Sequence, residues 1–238
     1  MRINGKLKWG QIFCDNNYAL YGLNGKRGDV DESIGILAYF TGVLIHDHFM
    51  SYYKHKTMTH AECNQHILRY LKGLVEIFKH EWFTEMTELF KEMCHEKNEL
   101  VRADEKSMPK DKIDGFSKKY DEILQRGWAE YQASTQGDEK KEKYYNDERL
   151  LLTRLGEYKK EHLLFLNNFS VPFTNNNAEQ GIRVLKTKQK VSGGFRSEDG
   201  AEWYLRIISL ITSLRKQNMG VFNGIRAVFL GQVPFFPP

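Results

Sequence analysis

The stretch from Phe173 to Ser197, FTNNNAEQGIRVLKTKQKVSGGFRS, concentrates residue types that can act on phosphate. A carboxylate, Glu179, stands at the start of a helical pattern with basic residues behind it. At about 100° per residue, Glu179, Arg183, Lys186 and Lys190 fall within roughly 60° of one another on one face. Ala178, Ile182 and Leu185 take a neighbouring face, the side that would pack. A carboxylate able to hold a metal, beside a row of cations, suits phosphodiester chemistry: the metal activates oxygen and the cations hold phosphates. The same spacing also fits a plain amphipathic helix with a Glu179–Arg183 pair at i,i+4, worth about 0.2–0.5 kcal/mol.

A second constellation occupies residues 42–73, GVLIHDHFMSYYKHKTMTHAECNQHILRYLKG. It holds Asp47 and five of the eight histidines (His46, His48, His55, His60 and His66). Cys63 and His66 have Cys-x-x-His spacing, but a structural zinc site wants two close ligand pairs and no second pair of that kind follows. A packed or hydrogen-bonded Cys/His pair is the competing reading. Asp47 ends a short apolar run, 43–45, that reads as a buried strand, and α/β sheets usually present ligands at such strand ends. Cleavage by two metal ions needs carboxylates from separate elements, and Asp47 and Glu179 are of the right type. An Asp at a strand end also serves as an ordinary helix cap. The 131 residues between the two carboxylates are too many for a plain connection and look like an inserted helical region. No Ser/His/Asp nucleophile set, Walker-type loop or G-x-G-x-x-G is present.

The elements that must position these groups are legible as patterns. With 238 residues, 41% hydrophobic and 13% aromatic, the chain can bury a real core. No apolar run approaches the roughly 18–20 residues of a membrane span, and MRINGKLKWG lacks the apolar stretch of a signal peptide, so a cytoplasmic protein is expected. Three widely spaced cysteines make no disulfide framework. Residues 171–238 carry nine Lys/Arg against four Asp/Glu, whereas 81–150 carry thirteen against eighteen, so the basic end is the one that could face nucleic acid. Composition predicts strands over 6–14 and 18–23 around the turn Asp15-Asn16-Asn17, then a helix over 30–39. From 60 to about 167 the pattern is helical, with stripes through Phe78, Trp82, Met86, Leu89 and Met93, through Phe116, Tyr120, Ile123, Leu124 and Trp128, and through Leu151, Leu152, Leu155, Tyr158 and His162. Breaks are expected at Met108-Pro109 and in a charged linker over 136–143. Helices over 178–190, 201–217 and 222–229 follow, with Gly193-Gly194 serving as a turn or a point of close backbone approach.

HDHFMSYY, CNQHILRYLK and NNNAEQGIRVLKTKQKVSGGFRS together resemble the transposases of the insertion-sequence family numbered sixty-six. The likeness extends to NGKLKW, GKRG and IRAVFLG and so covers nearly the whole chain. It implies an α/β fold: a ribonuclease-H-like core, split by a mostly α-helical insertion, with an Asp-Asp-Glu triad. Asp47 would be the second Asp and Glu179 the closing Glu, both binding Mg²⁺ or Mn²⁺. Cys63 and His66 match a Cys-x-x-His signature of architectural role. Arg183, Lys186, Lys188, Lys190 and Arg196 match a basic stretch that contacts transposon-end or target DNA. Thr174 and Gln180 depart from the Asp and Arg more usual there.

In the family the first Asp lies in a phrase like Asp-Glu-Thr-Gly, just ahead of the segment matching RINGK. The chain is therefore expected to be a C-terminal catalytic fragment, without the first core strand and inactive alone. The expected organisation is a first core part over 1–75, a helical insertion over 76–167 and a second core part over 168–238. The implied function is metal-dependent DNA strand cleavage and strand transfer by a homo-oligomer assembled on DNA, with no membrane partner. The alternative is a non-catalytic remnant that binds DNA or an intact transposase.

Overall fold

The structure is a computed structural model and describes residues 1–134 and 142–233. Its strands are β1 (Arg2–Ile3), β2 (Lys6–Leu7), β3 (Trp9–Cys14), β4 (Ala19–Asn24), β5 (Val43–His46) and β6 (Thr59–Glu62). The helices are α1 (Asn64–Phe78), α2 (Glu81–Arg102), α3 (Lys110–Ser134), α4 (Glu142–Glu157), α5 (Lys159–Asn167), α6 (Asn176–Ser192), α7 (Glu198–Lys216) and α8 (Val221–Phe229). The fold is thus mixed α/β, mostly helical with small sheets. Among the described residues the strands form three pairs: β1–β2 and β3–β4 antiparallel, β5–β6 parallel. The chain divides into two compact units, one built from 1–40, 50–57 and the segment from Asn176 on, the other from 41–49 and 58–175.

In the first unit, β1 and β2 close on Asn4-Gly5, both at positive φ (46° and 78°), which a tight two-residue hairpin turn requires. β3 and β4 pair from Trp9↔Asn24 to Cys14↔Ala19. Their turn is fixed by the Asp15 carboxylate, which accepts the backbone N–H of Asn17 (2.8 Å) and Tyr18 (2.6 Å). An edge strand normally leaves a row of unpaired backbone groups. On β4 the hydroxyls of α7 occupy that edge: Ser213 accepts from the Ala19 N–H at 3.0 Å and Ser209 from the Tyr21 N–H at 2.9 Å. Leu185 of α6 and Leu205 of α7 pack with Ala19 and Tyr21 to form this unit's core. Gly194 lets the chain after α6 lie against β1, since a Cβ there would sit 2.3 Å from the Arg2 carbonyl oxygen. Phe195 then donates to that same oxygen and accepts from the Asn4 N–H, each at 2.9 Å.

The second unit holds the larger core. Its stripe on α2 (Trp82, Phe83, Met86, Phe90 and Met93) is fully buried against α1, α3, α4 and α5. The tight α3 approach depends on Gly127, where a Cβ would meet Leu152 at 2.7 Å and Trp82 at 2.9 Å. Tyr120 is buried with its hydroxyl donating to the Leu155 carbonyl at 2.8 Å. His162 on α5 is wholly enclosed: its Nδ1 lies 3.0 Å from Asn64 Oδ1, and Asn64 Nδ2 donates back to the His162 carbonyl at 2.9 Å. Desolvation pushes the His162 pKa down to about 3.

Five expectations change. The helix expected through Phe78 and Met93 is broken at Lys79 (φ 55°), with Phe78 closing α1 and α2 starting at Glu81, and the one expected through Leu151 and His162 is broken at Tyr158, between α4 and α5. Residues 30–39 form turns rather than a helix: Asp31 accepts the N–H groups of Ile36 (3.0 Å) and Leu37 (2.6 Å), and Gly35 adopts φ 69°. The strand expected over 6–14 is interrupted at Lys8, whose N–H bonds the Met1 carbonyl. Residues 60–62, expected to be helical, instead belong with Thr59 to a strand that pairs with β5, and helix begins only at Asn64. The linker expected over 136–143 lies outside the described residues except for its last two, which open α4, and the final PFFPP lies outside them too.

Two outcomes follow from this packing. Phe90→Ala leaves a cavity among well-packed rings and lowers stability by about 3–5 kcal/mol in denaturant unfolding, whereas Lys118→Ala, on the exposed face of α3, stays within about 0.5 kcal/mol. His162 is neutral when folded but titrates near pH ~6.5 once unfolded, so the unfolded chain binds the extra proton between about pH 6.5 and 3. Its contribution is therefore complete above about pH 6.5 and falls with acidification at up to about 1.4 kcal/mol per pH unit. Unfolding curves at pH 7 and 5.5 should show a shallower pH slope for His162→Gln than for the wild-type chain.

Candidate functional site

Val43, Leu44 and Ile45 give β5 its strand propensity, and pairing with β6 puts His46 opposite Glu62. Asp47 follows at once, exposed, in the bend after the strand. Both of its neighbours are tied down. His46 is 2% exposed, its Nε2 lies 3.1 Å from His60 Nδ1 and its carbonyl accepts from the Cys63 N–H at 2.9 Å. Burial pushes the His46 pKa down to about 4, with the Glu62 carboxylate pulling the other way. His48 sits at φ 65° with its Nδ1 2.6 Å from Glu62 Oε1. The other oxygen of Glu62 accepts from Arg154 Nη2 at 2.6 Å.

Cys63 is the N-cap residue of α1 and is completely buried. Its Sγ accepts the Asn175 N–H at 3.2 Å, while the His66 N–H bonds the Cys63 carbonyl at 3.1 Å. Sulfur and backbone together seat the start of α1 on β5 and on the chain that precedes α6. The His66 ring faces Arg69, with Nε2 3.5 Å from its guanidinium.

In the other unit, Glu179 lies in the first turn of α6, half-buried, where the partial positive charge of a helix start favours a carboxylate. That turn is pressed onto β3: a Cβ on Gly181 would be 2.3 Å from Ile12, and the Tyr21 hydroxyl donates to the Gly181 carbonyl at 3.2 Å. Leu185 is buried and Ile182 packs beside it, so the apolar face is the one the spacing predicts. Arg183, Lys186 and Lys190 are exposed on α6 and Arg196 is exposed in the following loop. Lys188 differs. It is half-buried, with its ammonium 5.4 Å from the centroid of the Phe195 ring and 5.7 Å from that of Tyr204.

Sequence spacing did not single out Glu62, His48 or Arg154 as partners. Glu62 and Arg154 are 92 positions apart, and nothing local to either residue signals the other. The only hint was the density of histidines around Asp47.

Among the described residues no helix is long and apolar enough to cross a membrane. Comparison with curated proteins and with solved structures gives no match. Comparison with protein-family models matches residues 2–203 to the one described as the Transposase IS66 family. That match spans most of the sequence, from β1 through the first turns of α7, and the chain belongs to the IS66 family of transposases.

Proposed function

We propose that this chain is the catalytic part of a transposase that cleaves DNA at the ends of an insertion sequence and joins the freed 3′-hydroxyl to target DNA. The observation that carries the reading is the family match over 2–203, taken with a helix that opens on Glu179 and then exposes Arg183, Lys186 and Lys190. The core is proposed to be ribonuclease-H-like, contributed by 1–75 and 168–238 and interrupted by the helices of 76–167. The antiparallel pair β3–β4 and the parallel pair β5–β6 are the kinds of ladder such a core contains.

Asp47 and Glu179 are the proposed ligands of Mg²⁺ or Mn²⁺. Both offer carboxylate oxygen, the hard donor these ions prefer, and Asp47 is exposed at a strand end where its oxygens can be reached. When bound, the ion would polarise the phosphodiester and offset the charge that develops on it during attack. Arg183, Lys186, Lys190 and Arg196 hold backbone phosphates in position and read no sequence. Lys188 acts at one remove: its cation fixes the Phe195 ring and, through it, the loop that presents Arg196. Cys63 and His66 are architectural, a role that the buried Cys63 sulfur, bonded to the Asn175 N–H, suits. The proposed partners are transposon-end and target DNA and further copies of the chain assembled on them in the cytoplasm.

The test uses end-containing DNA with Mn²⁺. Cutting by the purified chain that is lost in Asp47→Ala and in Glu179→Ala supports the enzyme. Binding with a steep salt dependence but no cutting means that this chain does not cleave on its own, as expected of a fragment inactive alone or of a non-catalytic DNA-binding remnant. In either case, replacing Arg183, Lys186 and Lys190 together by Ala should flatten the log–log salt slope of binding by about 2.7, the release expected for three phosphate contacts.

A further inference from the structure

We infer that Arg154, Glu62 and His48 form a positioning set that locks the turn carrying Asp47, so that the helical part of the chain controls where that carboxylate points. The inference rests on the reading of Asp47 as a metal ligand for its functional meaning, but its geometry stands on the contacts themselves.

The Glu62 side chain has no exposed surface, and a carboxylate so buried costs stability unless a cation and hydrogen bonds accompany it. Arg154, itself only 9% exposed in its side chain, supplies the cation from α4 and takes one oxygen of Glu62. That leaves the second oxygen aimed at His48 Nδ1, 2.6 Å away. The carboxylate therefore works as a clamp with one jaw on a helix and the other just past a strand end.

His48 is held in a left-handed conformation, φ 65°, a region that residues other than glycine enter mainly when their surroundings over-determine it. The surroundings here are Glu62 on one side of the ring and Tyr158 edge-on at 4.7 Å, with an interplanar angle of 85°. Tyr158 follows α4 directly, and Arg154 lies in its last turn. On the other side of Asp47, His46 is fixed by His60 and by the Cys63 N–H. An exposed aspartate is thus bracketed by two anchored residues, and one of the anchors is delivered by helices remote in sequence. Exposure alone would leave its carboxylate free to swing with the turn. A metal ligand instead needs a fixed direction, which supporting contacts of this kind provide.

His48→Gly tests the arrangement on the full chain, because glycine accepts the left-handed φ without strain while removing the anchor, and Glu62 keeps Arg154. ¹⁵N relaxation should show the order parameters of Asp47, His48 and Phe49 falling from the rigid range near ~0.85 to below about 0.6, while those of α2 stay unchanged. Exchange of the Cys63 amide should quicken. Mn²⁺ affinity, read by titration calorimetry with Asp47→Asn as the reference for loss of the site, should drop by about tenfold. His48→Asn, which also tolerates this backbone conformation and can donate to Glu62, should recover most of both effects. Unchanged order parameters at 47–49 in His48→Gly overturn the inference, as does an Asp47-dependent Mn²⁺ affinity that the loosened turn leaves intact. If Mn²⁺ binding in the wild-type chain does not depend on Asp47, the metal-ligand reading fails instead, and the relaxation data still decide whether the set locks the turn.

Discussion

A buried carboxylate paired with an arginine organises the unit around Asp47. Glu62 ends a four-residue strand with no side-chain surface in water, so its place in the fold depends on what the rest of the chain brings to it. Arg154 comes from α4, and α4 can reach it only if the Leu151, Leu152 and Leu155 stripe is packed against α2 and α3. The apolar core and the ionic clamp are therefore consequences of the same packing. This dependence runs both ways, because an unpaired Glu62 at that depth would be strongly destabilising. The helices of the second unit are more than a spacer between Asp47 and Glu179 in sequence: they complete the strand end on which Asp47 sits.

The other unit solves a different problem, a two-stranded ladder with too few strands to be stable alone. Its helices supply what further strands would. Ser209 and Ser213 take the backbone donors of β4, and Leu185 and Leu205 cover Ala19 and Tyr21. Because Gly181 lies only two positions after Glu179, the close packing of α6 on Ile12 also fixes the helix turn that carries the carboxylate. The direction of the basic face follows from the burial of Leu185 with Ile182 beside it, which leaves Arg183, Lys186 and Lys190 toward solvent.

The parts of this architecture that depend on period were legible in the sequence. Trp82, Met86, Leu89 and Met93 are buried on α2 as their spacing predicts, although Phe78, expected on the same helix, closes α1 instead, and α6, α7 and α8 begin and end within a few residues of their expected limits. The failures occur where a side chain competes with the local pattern. Asp31 takes backbone donors that a helix over 30–39 would have used, and β6 exists because β5 is beside it, a tertiary pairing that no window around residue 60 contains. Asp47 and Glu179 could be put forward as candidates by type and place in the pattern. The clamp beside Asp47 could not, since Glu62, His48 and Arg154 meet only after the helices have packed.

Lys188 shows the same boundary for charge. In sequence it is one of five equivalent cations around α6. In the fold its ammonium lies over the Phe195 and Tyr204 rings, so part of its hydration is exchanged for π contact. A count of positive charges therefore treats as alike cations whose surroundings differ, since Arg183, Lys186 and Lys190 face solvent while the Lys188 ammonium lies over two rings. Phe195 is joined to β1 through its backbone and to Lys188 through its ring, so the loop bearing Arg196 is held at both levels. A cation held over the Phe195 ring thereby helps to fix the loop that carries the next one. A cation fixed in this way has less conformational freedom left to lose on meeting a partner than a mobile one.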